Sequence, residues 1–310
     1  MASRVRLQPY HELSNLRAGL DLALHWGALL GLFTLCHQWG HPLGYLLAIV
    51  VIAGLQNAMA SLSHEAWHQK TFTHRPTNDV VGAWLYSYPI GLPFFHDRRR
   101  HLQHHQRVGG PTDPDWPNYS DEARETGPRL LFWLFGKLVG MHLVITVWTT
   151  VVRGRPRIDV GEARDETGPS TRRELASVAL VQLVLFAGFA LLGSWWEYVV
   201  LWLVPLATLT AFLISTRAFL EHGHPEPDPP PEARLCDFDT NAAGHFFLSP
   251  CHFHLHALHH AYPGVPHYRL PELKQQLAEP SGLGYPGRQR PGYLRVLREH
   301  LQSLRAQRAA

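Results

Sequence analysis

Residues 42–68 read PLGYLLAIVVIAGLQNAMASLSHEAWH, an apolar run that ends directly on two histidines four residues apart. At about 1.5 Å per residue, Pro42 to Leu62 is long enough to cross a hydrocarbon core of roughly 30 Å. A second apolar run, Leu16 to His37, precedes it across the short link Gln38 to His41, so the two form a hairpin. Leu175 to Gly193 and Trp195 to Arg217 repeat the pattern, with Ser194, Trp195, Trp196 and Glu197 at the turn, where an interfacial aromatic belt places Trp. Pro205 is positioned to kink the return helix. No other internal repeat is evident.

Composition agrees with a membrane chain. Ten Trp, ten Tyr and fourteen Phe accompany only 17% charged residues. The whole-chain mean hydropathy conceals this, because it averages the apolar runs with polar segments rich in His, Arg and Pro. The net charge of +3 comes from Arg clusters next to apolar runs, which suits an anionic membrane face. No soluble basic domain is left over to bind nucleic acid. Both tight links lack Lys and Arg, whereas Arg4, Arg6, Arg17, Arg98 to Arg100 and the segment Arg153 to Arg173 carry most of the positive charge. The positive-inside rule therefore places both termini, and everything between the hairpins, in the cytoplasm. Cys36, Cys236 and Cys251 form no CxxC pair and no disulfide framework, which fits that side. The first 15 residues lack a signal-peptide core, so the first apolar helix serves as its own insertion signal.

The expected fold is thus an all-α integral membrane protein, one domain over residues 1–310, with four spans at about 16–37, 42–62, 175–193 and 195–217. Cytoplasmic segments 63–128 and 218–280 would cap it as a helical layer. Leu130 to Val152 is apolar enough to cross, but it contains Lys137 and His142 and is bracketed by Arg129 and Arg153. A crossing there would separate the histidine-rich segments, so we read 130–152 as an interfacial helix with Lys137 snorkelling to the polar side. Val80 to Phe95, interrupted by Pro89, Gly91 and Pro93, is too short to span. Pro225 to Glu232 reads as a stiff polyproline-like connector. The tail after Pro280 reads as polar and partly disordered, with one amphipathic helix near Tyr293 to Leu304.

Three clusters of histidine carry the chemistry: His64 and His68 in HEAWH, His101, His104 and His105 in HLQHH, and His256, His259 and His260 in HALHH. Spacings of three and four put each set on one helix face, where imidazoles can converge on an ion. With 22 His in 310 residues, two HxxHH patterns arise by accident in fewer than about one chain in a hundred. His252 would extend the third face by a turn, with Ser249 and Pro250 as N-cap and first position of that helix. About eight ligands imply two ions, and imidazole suits Fe, Zn, Cu and Ni alike.

In this order, around two hydrophobic hairpins, HEAWH, HLQHH and HALHH resemble the three histidine boxes of the membrane fatty acid desaturase superfamily, which includes acyl desaturases, hydroxylases and carotenoid-modifying enzymes. Asp113-Pro114-Asp115, Glu221-His222, and His259 through Pro266 match its flanking patterns, and the likeness covers about Ser63 to Leu277. The resemblance implies two Fe ions that use O2 as co-substrate to remove hydrogen from an unactivated C–H bond of a lipid chain. It makes His64, His68, His101, His104, His105, His256, His259 and His260 ligands and His222 a ninth. Trp195 to Glu221 can run as one helix with His222 at its end, while Gly223 breaks it and Pro225 draws His224 into extended backbone and out of the site. The family's common Asn four residues before the last box is here His252, which either replaces a weak contact or shifts the ligand set. Glu65, Asp97 and Glu221 are expected to orient imidazoles through their second nitrogen. The segments outside the boxes are too short for a fused b-type cytochrome or ferredoxin domain, so a separate electron donor (a ferredoxin, rubredoxin or b-type cytochrome with its reductase) is implied, docking on the Arg-rich face.

A fatty acyl desaturase is the leading reading, and a lipid or carotenoid hydroxylase or ketolase is the alternative. The two differ only in the fate of the first radical. A more distant rival is an intramembrane zinc protease, because His64-Glu65-Ala66-Trp67-His68 satisfies HExxH. That reading leaves both HxxHH segments unexplained. A non-catalytic metal store leaves the capping hairpins unexplained.

Overall fold

The computed structural model describes residues 7–110, 112–119, 126–148, 168–223, 234–278 and 288–306. Four helices among the described residues are long and apolar enough to cross a membrane: α1 (Asn15–Trp39), α2 (Pro42–Trp67), α7 (Thr171–Leu191) and α8 (Trp195–His222). Between α2 and α7 lie the shorter α3 (Arg75–Val81), α4 (Phe94–Arg107), α5 (Gly127–Leu138) and α6 (Met141–Val147). Each hairpin turns on a glycine in the left-handed region, Gly40 at φ 63° and Gly193 at φ 80°, a conformation costly for any other residue. Leucines such as Leu16, Leu24, Leu183 and Leu191 stand exposed around the outside. So many exposed apolar side chains on four long apolar helices suit contact with lipid.

α2 is the central helix, enclosed along its second half. Its polar residues bond across helices, as apolar surroundings require. Gln56 donates to the Trp202 carbonyl at 3.0 Å and accepts from Thr210, and Asn57 donates to the Phe247 carbonyl at 2.7 Å. At the opposite end, buried Glu197 accepts from Tyr45 (2.5 Å) and lies 3.2 Å from His37 Nδ1, tying one hairpin to the other.

Two helices continue past their apolar runs. α2 continues from Leu62 to Trp67, and α8 continues from Arg217 to His222. Polar residues end an apolar stripe but not a helix, so both carry histidines beyond the apolar core. In α8, π-helical turns at Tyr198–Leu203 and Leu206–Thr210 flank Pro205, whose missing N–H and ring clash are absorbed by the wider turn.

The layer beside the spans holds α9 (Ala242–Phe247), α10 (His256–Ala261), α11 (Leu270–Ala278) and α12 (Tyr293–Ala306). It is not purely helical. β1 (Cys236–Phe238) pairs in parallel with β2 (Arg288–Arg290), in register Cys236↔Arg288. The pairing adds a short strand to the tail after Pro280, whose expected amphipathic helix near Tyr293 to Leu304 is α12. α12 buries Tyr293, Val296 and Leu304 among Phe219, Leu220, Leu130 and Leu134, because its apolar stripe at helical spacing needs a partner face.

The segment expected to lie in the interface is broken at Gly140 (φ 75°) into α5 and α6, with residues 149–152 outside the described part. Lys137 is buried, with Nζ 5.2 Å from the Trp133 ring centre in a cation–π contact. The connector Pro225 to Glu232 and His224 also lie outside the described residues.

Two carboxylates position the histidine helices from afar. α4 begins at Pro93 without a capping side chain, and buried Glu174 of α7 accepts from the amides of Phe95 (2.7 Å) and His96 (2.9 Å) instead. Asp237 of β1 does the same for α10, accepting from Ala257 at 2.8 Å and Leu258 at 3.3 Å. Gly82 lets α4 approach α2, since a Cβ there would meet Ala66 and the Phe94 ring at 2.6 Å.

Candidate metal centre

The histidines of α2, α4, α8 and α10 meet where these helix ends converge. One nitrogen from each of His64, His68, His101, His105 and His259 lies within 4.8 Å of the others, and His104, His222 and His260 form a second such set. His256 adjoins that second set, its Nε2 being 2.8 Å from His222 Nε2 and 3.1 Å from His260 Nε2. On α4 the i, i+4 pair His101 and His105 serves the first set and His104 the second. On α10 the pair His256 and His260 serves the second set and His259 the first. The HxxHH spacing therefore lets one helical turn feed two neighbouring points.

The donor set fits two cations. His101 Nε2 is 2.8 Å from both His68 Nε2 and His105 Nε2, and a single N–H cannot satisfy two nitrogens at once. Both nitrogens of His64, His259 Nε2 and His222 Nδ1 are buried with no hydrogen-bond partner among the described residues. Each such orphan costs about 1–3 kcal/mol unless a metal or donor takes its lone pair. Burial, reinforced by neighbouring imidazoles, holds His101, His256, His259 and His260 well below the ordinary imidazole range. These rings are neutral at pH 7, the form that ligates.

Asp113 orients the second set. It accepts from His104 Nδ1 at 2.9 Å, from the amide of Asp115 at 2.8 Å and from the Tyr119 hydroxyl. Burial and that carboxylate push the Tyr119 phenol up, so it stays a donor. Glu221 is held by Tyr293 (3.1 Å) and Arg217 (3.4 Å), with an oxygen 3.6 Å from His256 Nδ1. Sequence reasoning noticed Asp113 only as part of a pattern. Its proximity to His104 depends on the turn after α4 folding back, which no spacing rule reveals.

Three expected residues are placed differently. Glu65 turns away from the imidazoles and accepts the amide of His267 at 2.9 Å. Asp97 lines the adjoining cleft with Arg100 and Asp115, where burial pushes it up to about 7. His252 is not a further turn of the third helix. Cys251 and His252 both adopt left-handed backbone, at φ 56°, and a 3₁₀ turn at Phe253–Leu255 precedes α10, so His252 is turned out of the α10 face into a separate group with His245 and His254.

A cleft of about 260 Å³ adjoins the two sets, lined by His64, His222 and Phe253 and by Ala60, Leu92 and Ile214. Leu92 and Ile214 also pack on the apolar core between the spans, so the cleft joins that core to the histidines. Arg98 and Arg100 face inward beside it, paired with Asp79 and Asp115 respectively.

Comparison with known proteins follows this geometry. The family model described as fatty acid desaturase matches residues 38–288. A β-carotene ketolase of Paracoccus sp. (strain PC1) is 25% identical over 244 residues, covering 76% of this chain and 81% of the relative. A dihydrorhizobitoxine desaturase of Bradyrhizobium elkanii is 26% identical over 253 residues, 77% of this chain and 68% of the relative. A β-carotene 4-ketolase of Protosiphon botryoides is 25% identical over 271 residues, 81% of this chain, which spans 59% of that relative's length.

Asp113→Ala is expected to lower metal retention by about 10- to 100-fold, the usual cost of losing a carboxylate behind a ligating imidazole. Glu65→Gln should retain metal as the wild type does, since its partner is a backbone amide. Metal per chain after desalting, measured on both variants, checks the contrast.

Proposed function

The chain belongs to the fatty acid desaturase family, and from that premise we propose that it is an O2-dependent membrane oxidoreductase that oxidises an unactivated C–H bond of a lipid chain. Desaturation of a fatty acyl chain is the first reading. The observation that carries the proposal is the pairing of two imidazole sets with a cleft that continues into the apolar core. His64, His68, His101, His105 and His259 would hold one iron, and His104, His222, His256 and His260 the other. The irons, when bound, supply the oxidising power needed to break a strong C–H bond with O2.

The chain's own part is to bind and position. Ala60, Leu92 and Ile214 offer an apolar path for a hydrocarbon chain, and Phe253, its ring 4.6 Å from that of His64, packs against the first set. Enclosure of the histidines keeps water from the reacting carbon. Asp113 and Tyr119 fix His104, and Glu221 steadies the His256 side of the second set. A separate electron donor is part of this reading. Because Arg98 and Arg100 are engaged with Asp79 and Asp115, a docking face for that donor would draw on other basic residues.

Ketolation or hydroxylation of a carotenoid or other lipid is the second reading, favoured by the names of two relatives, the Paracoccus and Protosiphon ketolases. The zinc-protease reading is disfavoured by Glu65, which in that mechanism would face the metal-bound water and here faces the His267 amide.

Lipid and carotenoid mass spectrometry of cells with and without the chain separates these readings. A product lacking two hydrogens supports desaturation, and one that gains oxygen supports the second reading. Unchanged lipids and carotenoids in cells carrying the metal-loaded chain and a donor system would count against both.

We also place both termini and the histidine sets in the cytoplasm, on the charge asymmetry of the links. Reporter fusions at Asp115, Asp165 and the C-terminus should then all read cytoplasmic. An outward signal at Asp165 would mean that residues 130–152 cross the membrane.

A further inference from the structure

A third group of histidines lies apart from the two sets. His245 stands on α9, and His252 and His254 stand in the segment leading into α10. One nitrogen from each lies within 4.8 Å of the others. Ring centres are 4.4 Å apart for His245 and His254, 5.9 Å for His252 and His254, and 6.1 Å for His245 and His252. Phe253, between them in sequence, puts its ring against His64. Residues 252 and 254 thus face away from the proposed irons while 253 faces towards them.

Two features show that this grouping is built. The left-handed backbone at Cys251 and His252 swings the His252 ring into the group, at a cost of roughly 1–2 kcal/mol per residue. Nδ1 of His252 and Nδ1 of His254 are buried with no hydrogen-bond partner among the described residues. His267 lies outside the group, its ring centre 6.0 Å from that of His252 and its Nε2 3.8 Å from Asp21.

We propose that His245, His252 and His254 form a third metal site, separate from the di-metal centre, that takes one imidazole-preferring divalent ion of the zinc, copper or nickel class. Three imidazole nitrogens with no carboxylate disfavour magnesium and calcium, and three protein ligands leave room for water as a fourth. The ion would fasten the Phe253 segment to α9. α9 is itself docked on α2 through the Asn57 bond to Phe247 and through Gly54, where a Cβ would strike the Phe246 ring at 2.4 Å. The site is therefore a clamp that sets Phe253 and the start of α10 against the second span.

The test uses the full-length, iron-loaded chain in detergent, incubated with Zn2+ and desalted, with zinc and iron counted separately. Wild type should retain one zinc that His245→Ala loses, while iron per chain stays equal in the two. Zinc should also raise the melting temperature of wild type and not of the variant. His254→Gln provides a second variant with the same expectation should His245→Ala fold poorly. Equal zinc retention by wild type and variants would overturn the proposal. So would loss of iron together with zinc, because the histidines would then belong to the di-metal centre. Iron content alone bears on that centre and is read independently.

Discussion

Neutral imidazoles repel one another when their lone pairs point at a common place, and this constraint governs the rest of the molecule. Nine rings from the ends of α2, α4, α8 and α10 have nitrogens a few ångströms apart, several of them buried and without hydrogen-bond partners among the described residues. Cations at these points would turn the repulsion into bonding, and the surrounding chain must hold the rings ready. Apolar spans supply that rigidity, because α2 and α8 carry His64 and His222 as continuations of helices fixed by packing along much of their length.

The remaining positioning comes from carboxylates that are distant in sequence from what they organise. Glu174 reaches from α7 to the first amides of α4, Asp237 reaches from β1 to those of α10, and Asp113 folds back on His104. Each gives a charge-assisted bond in a dry setting, where such bonds are strong and their loss costly. The α12 helix joins this scaffold through Tyr293, whose hydroxyl holds Glu221 beside His256. The C-terminal segment is thereby coupled to the histidines although it contributes none of them.

The parts legible in the sequence were those with a period. Apolar runs near twenty residues gave the spans, and i, i+3, i+4 histidines gave the rings that converge. What depended on long-range folding was not legible. Glu65 is next to His64 in sequence, yet its helical position directs it to the His267 amide, whereas Asp113 looked like pattern and proved to orient His104. His252 sat at a helical interval from His256, but two left-handed residues interrupt the helix there. Parallel pairing of Cys236 with Arg288 joins segments about fifty residues apart and has no local signal at all.

The central claim is that two irons sit side by side in an almost wholly histidine environment. Mössbauer spectroscopy of the chain purified with 57Fe, combined with metal analysis, tests it most directly. The account predicts two irons per chain in nitrogen-rich, non-haem coordination. One zinc per chain with no iron, or a single iron site, would contradict it.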